Sequence, residues 1–175
     1  MSAIIYIVEM LLSVALFFVL ARLLLQWTRA DFRNPLCQAV VRITNPLILP
    51  LRRLLPPIGK LDTASVVAVL LVAVVDVAGI FALHGVGFPP PLQWVRPVAS
   101  EIARMLLYTY LSAIFVYALL GLIAPGGYSP VQSVLTSLCE PVLRPIRRVI
   151  PVIAGLDLSP LWAIIAIQAL LILMR

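Results

Sequence analysis

Two twin arginines, Arg52-Arg53 and Arg147-Arg148, stand 95 positions apart, and an aspartate, Asp62 or Asp157, follows nine residues after the second arginine of each pair. A guanidinium presents five N–H donors in a planar fork that fits phosphate or carboxylate oxygens. Each twin can therefore capture an anionic lipid headgroup, an acidic partner or its own aspartate. A third acid, Asp76, lies inside an apolar run, where an ionisable group is costly unless paired or protonated. Arg104 is the basic residue expected to pair with it, with Glu101 three positions away on the same helix as competitor. The roles open to Asp76 are a structural interhelical pair, a neutral carboxyl, proton or cation handling, and partner recognition.

The remaining inventory argues against catalysis. There is no Ser-His-Asp set, glycine-rich phosphate loop, pair of close carboxylates or metal-ligand cluster. A single histidine, His84, excludes paired-histidine haem ligation within one chain, and Cys37 and Cys139 belong to no CxxC or CxxCH pattern. No catalytic residue, cofactor, metal or disulfide is expected.

The elements that must position these charges are apolar. With 63% hydrophobic and 11% charged residues over 175 positions, the chain has too little polar surface to cover a water-soluble globule. It reads as a multi-pass integral membrane protein. Four runs approach the roughly 20 residues needed to cross a hydrocarbon core: 4–25, 64–83, 105–124 and 158–174, the last of marginal length. With no water in the core to satisfy the backbone, these runs are predicted helices. The first is expected to stay rather than be cleaved as a signal, because Glu9 lies inside it and Arg22 follows it.

Positive charge gathers between the first and second runs and between the third and fourth, which places both connections in the cytoplasm and both termini outside. Arg22 and Glu9, near the ends of the first span, are expected to reach water or headgroups. The net charge of +6 lies beside apolar runs, so anionic lipid is the expected partner and nucleic acid is not.

The chain is also duplicated. Residues 34–65 recur without a gap as 129–160, with Pro35/Pro130, Pro46/Pro141, Pro50/Pro145, Arg52/Arg147, Arg53/Arg148, Pro56/Pro151, Ile58/Ile153, Leu61/Leu156 and Asp62/Asp157 identical. Repeat one spans 1–83 and repeat two 104–175, joined by an outer connection, 84–103. Each repeat contains two crossings, so the copies point the same way.

Inside each copy a short amphipathic helix, opened by Pro35 or Pro130, is expected to end at Pro46 or Pro141 and to lie in the cytoplasmic interface. The prolines that follow, Pro50 and Pro56 or Pro145 and Pro151, predict a kinked or extended, stiff tether that aims the arginines. Asp62 and Asp157 read first as helix starters for the next span and second as ion-pair partners of their own arginines. The predicted fold class is an all-α membrane protein: four transmembrane helices as two parallel two-helix repeats, each with a cytoplasmic interfacial helix.

The string Pro46, Pro50, Arg52-Arg53, Pro56-Pro57, Leu61-Asp62 and its copy Pro141, Pro145-Ile146-Arg147-Arg148, Pro151, Gly155-Leu156-Asp157, Ser159-Pro160 resembles the signature of the YggT family across nearly the whole chain. Glu140 stands where that pattern has asparagine, Lys60 and Ala154 each stand in place of a glycine, and Thr63-Ala64-Ser65 replaces one Ser-Pro ending. The resemblance implies a bacterial inner-membrane protein without established enzymatic activity, linked to cell division and envelope stress, and an organising or assembly role with unidentified membrane or cytoplasmic proteins. The alternative is a small channel or transporter subunit using Asp76, which would need a homo-oligomer to enclose a pore.

Overall fold

The computed structural model describes residues 3–56, 62–85, 87–123, 129–149 and 157–174. Pro57, Ile58, Lys60, Leu61, Pro151, Ile153, Ala154, Gly155 and Leu156 of the repeated element lie outside them. Among the described residues the chain is helical: α1 Ala3–Trp27, α2 Pro35–Leu54, α3 Thr63–Leu83, α4 Val95–Ile123, α5 Pro130–Val149 and α6 Ser159–Leu173, with a 3-10 turn, Pro91–Trp94, leading into α4.

Three segments are long and apolar enough to cross a membrane: α1, α3 and Pro91–Ile123, the 3-10 turn plus α4. The predicted third crossing, 105–124, falls as far as Ile123 in the C-terminal part of a helix that begins ten residues earlier, at Val95. Helix α6 is apolar but only 15 residues long, short of the roughly 20 that a perpendicular crossing takes. Helices α2 and α5 are strongly amphipathic, with apolar side chains on one face and polar ones on the other.

The start of each amphipathic helix follows from its first residues. Asn34 Oδ1 accepts the Leu36 amide at 2.9 Å, and Ser129 Oγ accepts the Gln132 amide at 3.1 Å. Each side chain caps an otherwise unpaired amide, and the proline that follows has no amide to satisfy. The expected end at Pro46 or Pro141 is corrected: α2 and α5 run through Pro46 and Pro50, and through Pro141 and Pro145, to the arginines. Both prolines of each pair are exposed. Four residues apart, they share one stripe, so the missing amides fall on one outer face while the opposite face keeps its hydrogen bonds and packing. The arginines are therefore carried on the last turn of a helix rather than on an extended tether.

By internal contacts the chain divides into two compact units, one of Met1–Leu23 and Val40–Leu106, the other of Leu24–Ala39 and Leu107–Arg175. The cuts pass through α1, α2 and α4, so this division differs from the division by sequence repetition. In the first unit α3 buries Ala64, Ser65, Ala68, Val69, Ala73, Asp76 and Val77. A side-chain carbon at Gly79 would come within 2.6 Å of Leu12 Cδ1, so this glycine lets α1 and α3 approach closely. In the second unit Leu138, Cys139 and Leu143 of α5 pack with Ala113 and Ile114 of α4 and Ala163 and Ile167 of α6. Within it Asn34 Nδ2 also donates to the Pro130 carbonyl at 2.7 Å, tying the start of α2 to the start of α5.

Candidate functional site

The twin arginines divide their labour in the same way in both copies. Arg52 donates to Asp62 Oδ2, and Arg147 Nε donates to Asp157 Oδ2 at 2.8 Å. The partner is the first arginine of each twin, ten residues before the acid. Each bond closes the amphipathic helix back onto the first residues of the next one. Arg53 and Arg148 are exposed.

Both sequence readings of the aspartates hold in part. The Asp62 carbonyl accepts the Ser65 and Val66 amides at the start of α3, but its carboxylate makes no cap to the backbone; it takes the Ser65 hydroxyl at 2.8 Å and Arg52 instead. Asp157 does both at once, with Oδ1 accepting the Ser159 amide at 2.9 Å and Oδ2 accepting Arg147. Thr63 Oγ1 donates to the Pro56 carbonyl at 2.8 Å and adds a second tie to the first closure.

In each unit a polar side chain of the preceding long helix bonds to the amphipathic helix. Arg22 of α1 is 2% exposed, turned onto α2 rather than toward water or headgroups as its position in the sequence suggested. It donates to Thr44 Oγ1 at 2.8 Å, Asn45 Oδ1 at 2.9 Å and the Val41 carbonyl at 3.3 Å. Those three acceptors sit on the face of α2 turned to α1, where a buried guanidinium is cheaper to hydrogen-bond than to drag into water. In the second unit the matched position to Asn45 is Glu140, and the cation it takes is Arg147 Nη1 at 2.9 Å, while Tyr117 OH of α4 accepts Arg147 Nη2 at 3.1 Å. Glu140 also pairs with Arg144 at 3.6 Å. Tyr117, as a polar side chain in an apolar run, is open to a hydrogen bond between helices, but neither it nor Arg22 belongs to the repeated string, so the partner of each is not legible in the spacing.

Electrostatics follow the geometry. Burial works against the charge on Arg147, but its bonds to Tyr117 and Asp157 outweigh that and raise its pKa above the ordinary arginine value. Burial likewise works to raise Asp157, and the Ser159 and Arg147 hydrogen bonds overcome it, leaving the carboxyl below the usual range. A carboxylate with a lowered folded-state pKa stabilises fully above its unfolded value, near pH 4, and that contribution is lost as pH falls through the lowered value. The stability gap between the protein and Asp157→Asn is therefore expected to stay constant from pH 8 to about 5, to begin to shrink near pH 4 and to go on shrinking as pH falls through the lowered value, read as thermal midpoints in detergent. A gap that does not shrink at all on acidification below about pH 4 contradicts this assignment. In the same unit burial pushes the Cys139 thiol up to about 12, against the opposing pull of Arg147, so this cysteine is an inert core residue at neutral pH.

Asp76 is 0% exposed, and neither carboxylate oxygen has a hydrogen-bond partner among the described residues. The expected pairing with Arg104 is corrected: Arg104 lies 3.8 Å from Glu101, its neighbour one turn away. A partner on the same helix costs no interhelical ordering, which is why the competitor takes it. Glu9, expected to reach water or headgroups, has one buried oxygen with no hydrogen bond, 3.3 Å from His84 Nδ1. The charges acting on Asp76 across the packed helices are those of Glu101 and Glu9, both negative. Among the described residues no group of three or more His, Cys, Asp or Glu is placed to hold a metal ion.

The match to known proteins follows the same two-copy division. A family model described as CCB3/YggT matches residues 1–82 and again 93–175. The chain belongs to the CCB3/YggT family. An uncharacterized protein of Pseudomonas aeruginosa is 38% identical over 168 residues, 95% of this chain and 85% of its own. An uncharacterized protein of Vibrio alginolyticus, described as lying in the proC 3' region, is 35% identical over 172 residues, 96% of this chain and 91% of its own. The uncharacterized protein YggT of Escherichia coli K12 is 32% identical over 151 residues, 86% and 78% of the two chains. No solved structure matches. For CCB3/YggT repeats as they stand here, the repeated string supplies the closure and its exposed second arginine.

Proposed function

We propose that this CCB3/YggT protein is a non-catalytic scaffold or assembly factor of the bacterial inner membrane, organising membrane-associated partners at the cytoplasmic face, with a link to cell division or envelope stress. In this reading α1, α3, α4 and α6 cross the bilayer, both termini lie outside, and α2 and α5 lie in the inner interface. The observation that carries it is the shared division of labour in the twin arginines: one is spent on an internal closure, and the other, Arg53 or Arg148, is presented outward at the end of an amphipathic helix. A guanidinium on a helix end fixed by a closure loses little further entropy on meeting a phosphate or carboxylate. Near an anionic surface each contributes about 1 kcal/mol.

The test spares the closures. Arg53→Gln with Arg148→Gln is expected to leave insertion and helix content unchanged while lowering the capture of partners in photo-crosslinking from native membranes roughly tenfold or more. Unchanged capture overturns the reading. Arg52→Gln and Arg147→Gln are unsuitable for this purpose because they break the fold locally.

A second reading is supported by Asp76, buried and unpaired in α3: a small oligomeric channel or transporter subunit in which this carboxyl handles a cation or proton. It requires ion flux from reconstituted protein that Asp76→Asn abolishes. Flux that is absent, or indifferent to the substitution, removes it.

A further inference from the structure

The second unit holds an open cavity of about 620 Å³ between the end of α4, the first turn of α5 and the start of α6. Phe115, Leu161 and Ile164 wall it, and Tyr117, Gln132 and Asp157 supply its polar groups. Phe115 is 54% exposed and Leu161 53%. This volume lies within the roughly 300–1,000 Å³ of pockets that take small ligands. The counterparts of Gln132, Pro160 and Ile164 in the first copy, Cys37, Ser65 and Val69, are at most 4% exposed.

We infer that this cavity binds one anionic phospholipid, an acyl chain against the apolar wall and the headgroup toward the end of α5. Three observations select that occupant. The walls belong to α4, which is long and apolar enough to cross a membrane, and to the apolar α6, so at their depth the surrounding medium is acyl chain rather than water. Two of its polar groups, the Tyr117 hydroxyl and the Asp157 carboxylate, are held together by Arg147, to which both are bonded, so the cavity has one polar corner beside an apolar wall. The charge near that end is positive: among the described residues Arg144 and Arg147 pair with Glu140 and Asp157, Arg148 stands beside them on the same last turns of α5, and Arg144 is 69% exposed. The inference rests on the membrane placement proposed above but not on capture through Arg53 and Arg148.

Gly121 gives a clean test, because a side-chain carbon there meets nothing within 4 Å and a larger residue grows into open space on the cavity lining. Full-length protein is extracted in mild detergent, stripped of lipid and titrated with phosphatidylglycerol, with phosphatidylcholine as comparison, and adducts are counted by native mass spectrometry. The expected result is one phosphatidylglycerol per chain, weaker binding of phosphatidylcholine, and occupancy lowered roughly tenfold or more in Gly121→Phe. Ala118→Leu, with unchanged helix content, is expected to act in the same direction.

No saturable adduct, equal adducts in the protein and both filled variants, or no preference between the two headgroups overturns the inference. So does a Gly121→Cys protein that forms disulfide-linked dimers in membranes, since a second copy then occupies the cavity. Loss of lipid in Gly121→Phe with normal partner capture leaves the scaffold intact, and loss of capture in Arg53→Gln alone, which keeps Arg148, with normal lipid binding leaves the cavity intact. The two ideas therefore fail separately.

Discussion

Arg22→Met is expected to destabilise the protein by about 3 kcal/mol, a fall of roughly 6–12 °C in the thermal midpoint measured in detergent. Methionine keeps the length and apolar stem of the side chain but removes every donor. Asn45 Oδ1 then loses its only described donor, at 2.9 Å, and the Val41 carbonyl loses a second one. Thr44 suffers less, because its hydroxyl still donates to the Val40 carbonyl at 2.7 Å. Since Arg22 is 2% exposed and Thr44 3%, water cannot readily replace the lost partner, and the desolvation of the orphaned acceptors is felt in full. Arg22→Lys, with one donor group that reaches fewer acceptors, should fall between the two. A midpoint within about 2 °C of the parent for Arg22→Met would show that α1 and α2 are held together by apolar packing alone.

The second large effect has the opposite sign. Asp76→Leu should stabilise the protein by about 1–3 kcal/mol. Leucine has the branching of aspartate with methyl groups in place of the oxygens, so it fits the same space without the burden of two buried, unpaired acceptors. The corresponding position of the second copy is already Leu171, so the duplicated helix accepts this side chain once. Asp76→Asn keeps the polar atoms and should recover little of that gain. If Asp76→Leu instead destabilises, the carboxyl has a partner that the folded chain acquires in the membrane, and the acid is structural. If it stabilises while abolishing an activity, Asp76 is a residue kept at a cost for function, as polar groups inside membranes commonly are.

Three helices long and apolar enough to cross a membrane, the duplication and the family were legible in the residues themselves. Hydropathy over α1, α3 and α4 needs only composition and length to be read as membrane-compatible helix, because without water the backbone has no other way to satisfy itself. Ninety-five-residue spacing of Pro, Arg and Asp marked the repeated element, and Pro35 and Pro130 marked the helix starts that the structure has. The helix ends were misread at Pro46 and Pro141. A proline's local preference is to stop a helix, but its cost depends on which face bears the missing amide, and that is known only when the other face has something to pack on.

The same distinction governs the charges. Sequence by itself determined that two arginine pairs and two aspartates recur in register beside apolar helices, since that depends on order along one chain. Only the tertiary structure decided that the first arginine of each pair is spent on the aspartate, that Arg22 turns inward onto α2, that Tyr117 and Glu140 complete the Arg147 site, and that Asp76 stays without Arg104. The reason is range. Helix formation and membrane compatibility are set by neighbours within a few residues, whereas the choice among several possible partners for a long, flexible cation is set by distances between helices, to a tolerance of about an ångström that no spacing in the chain encodes.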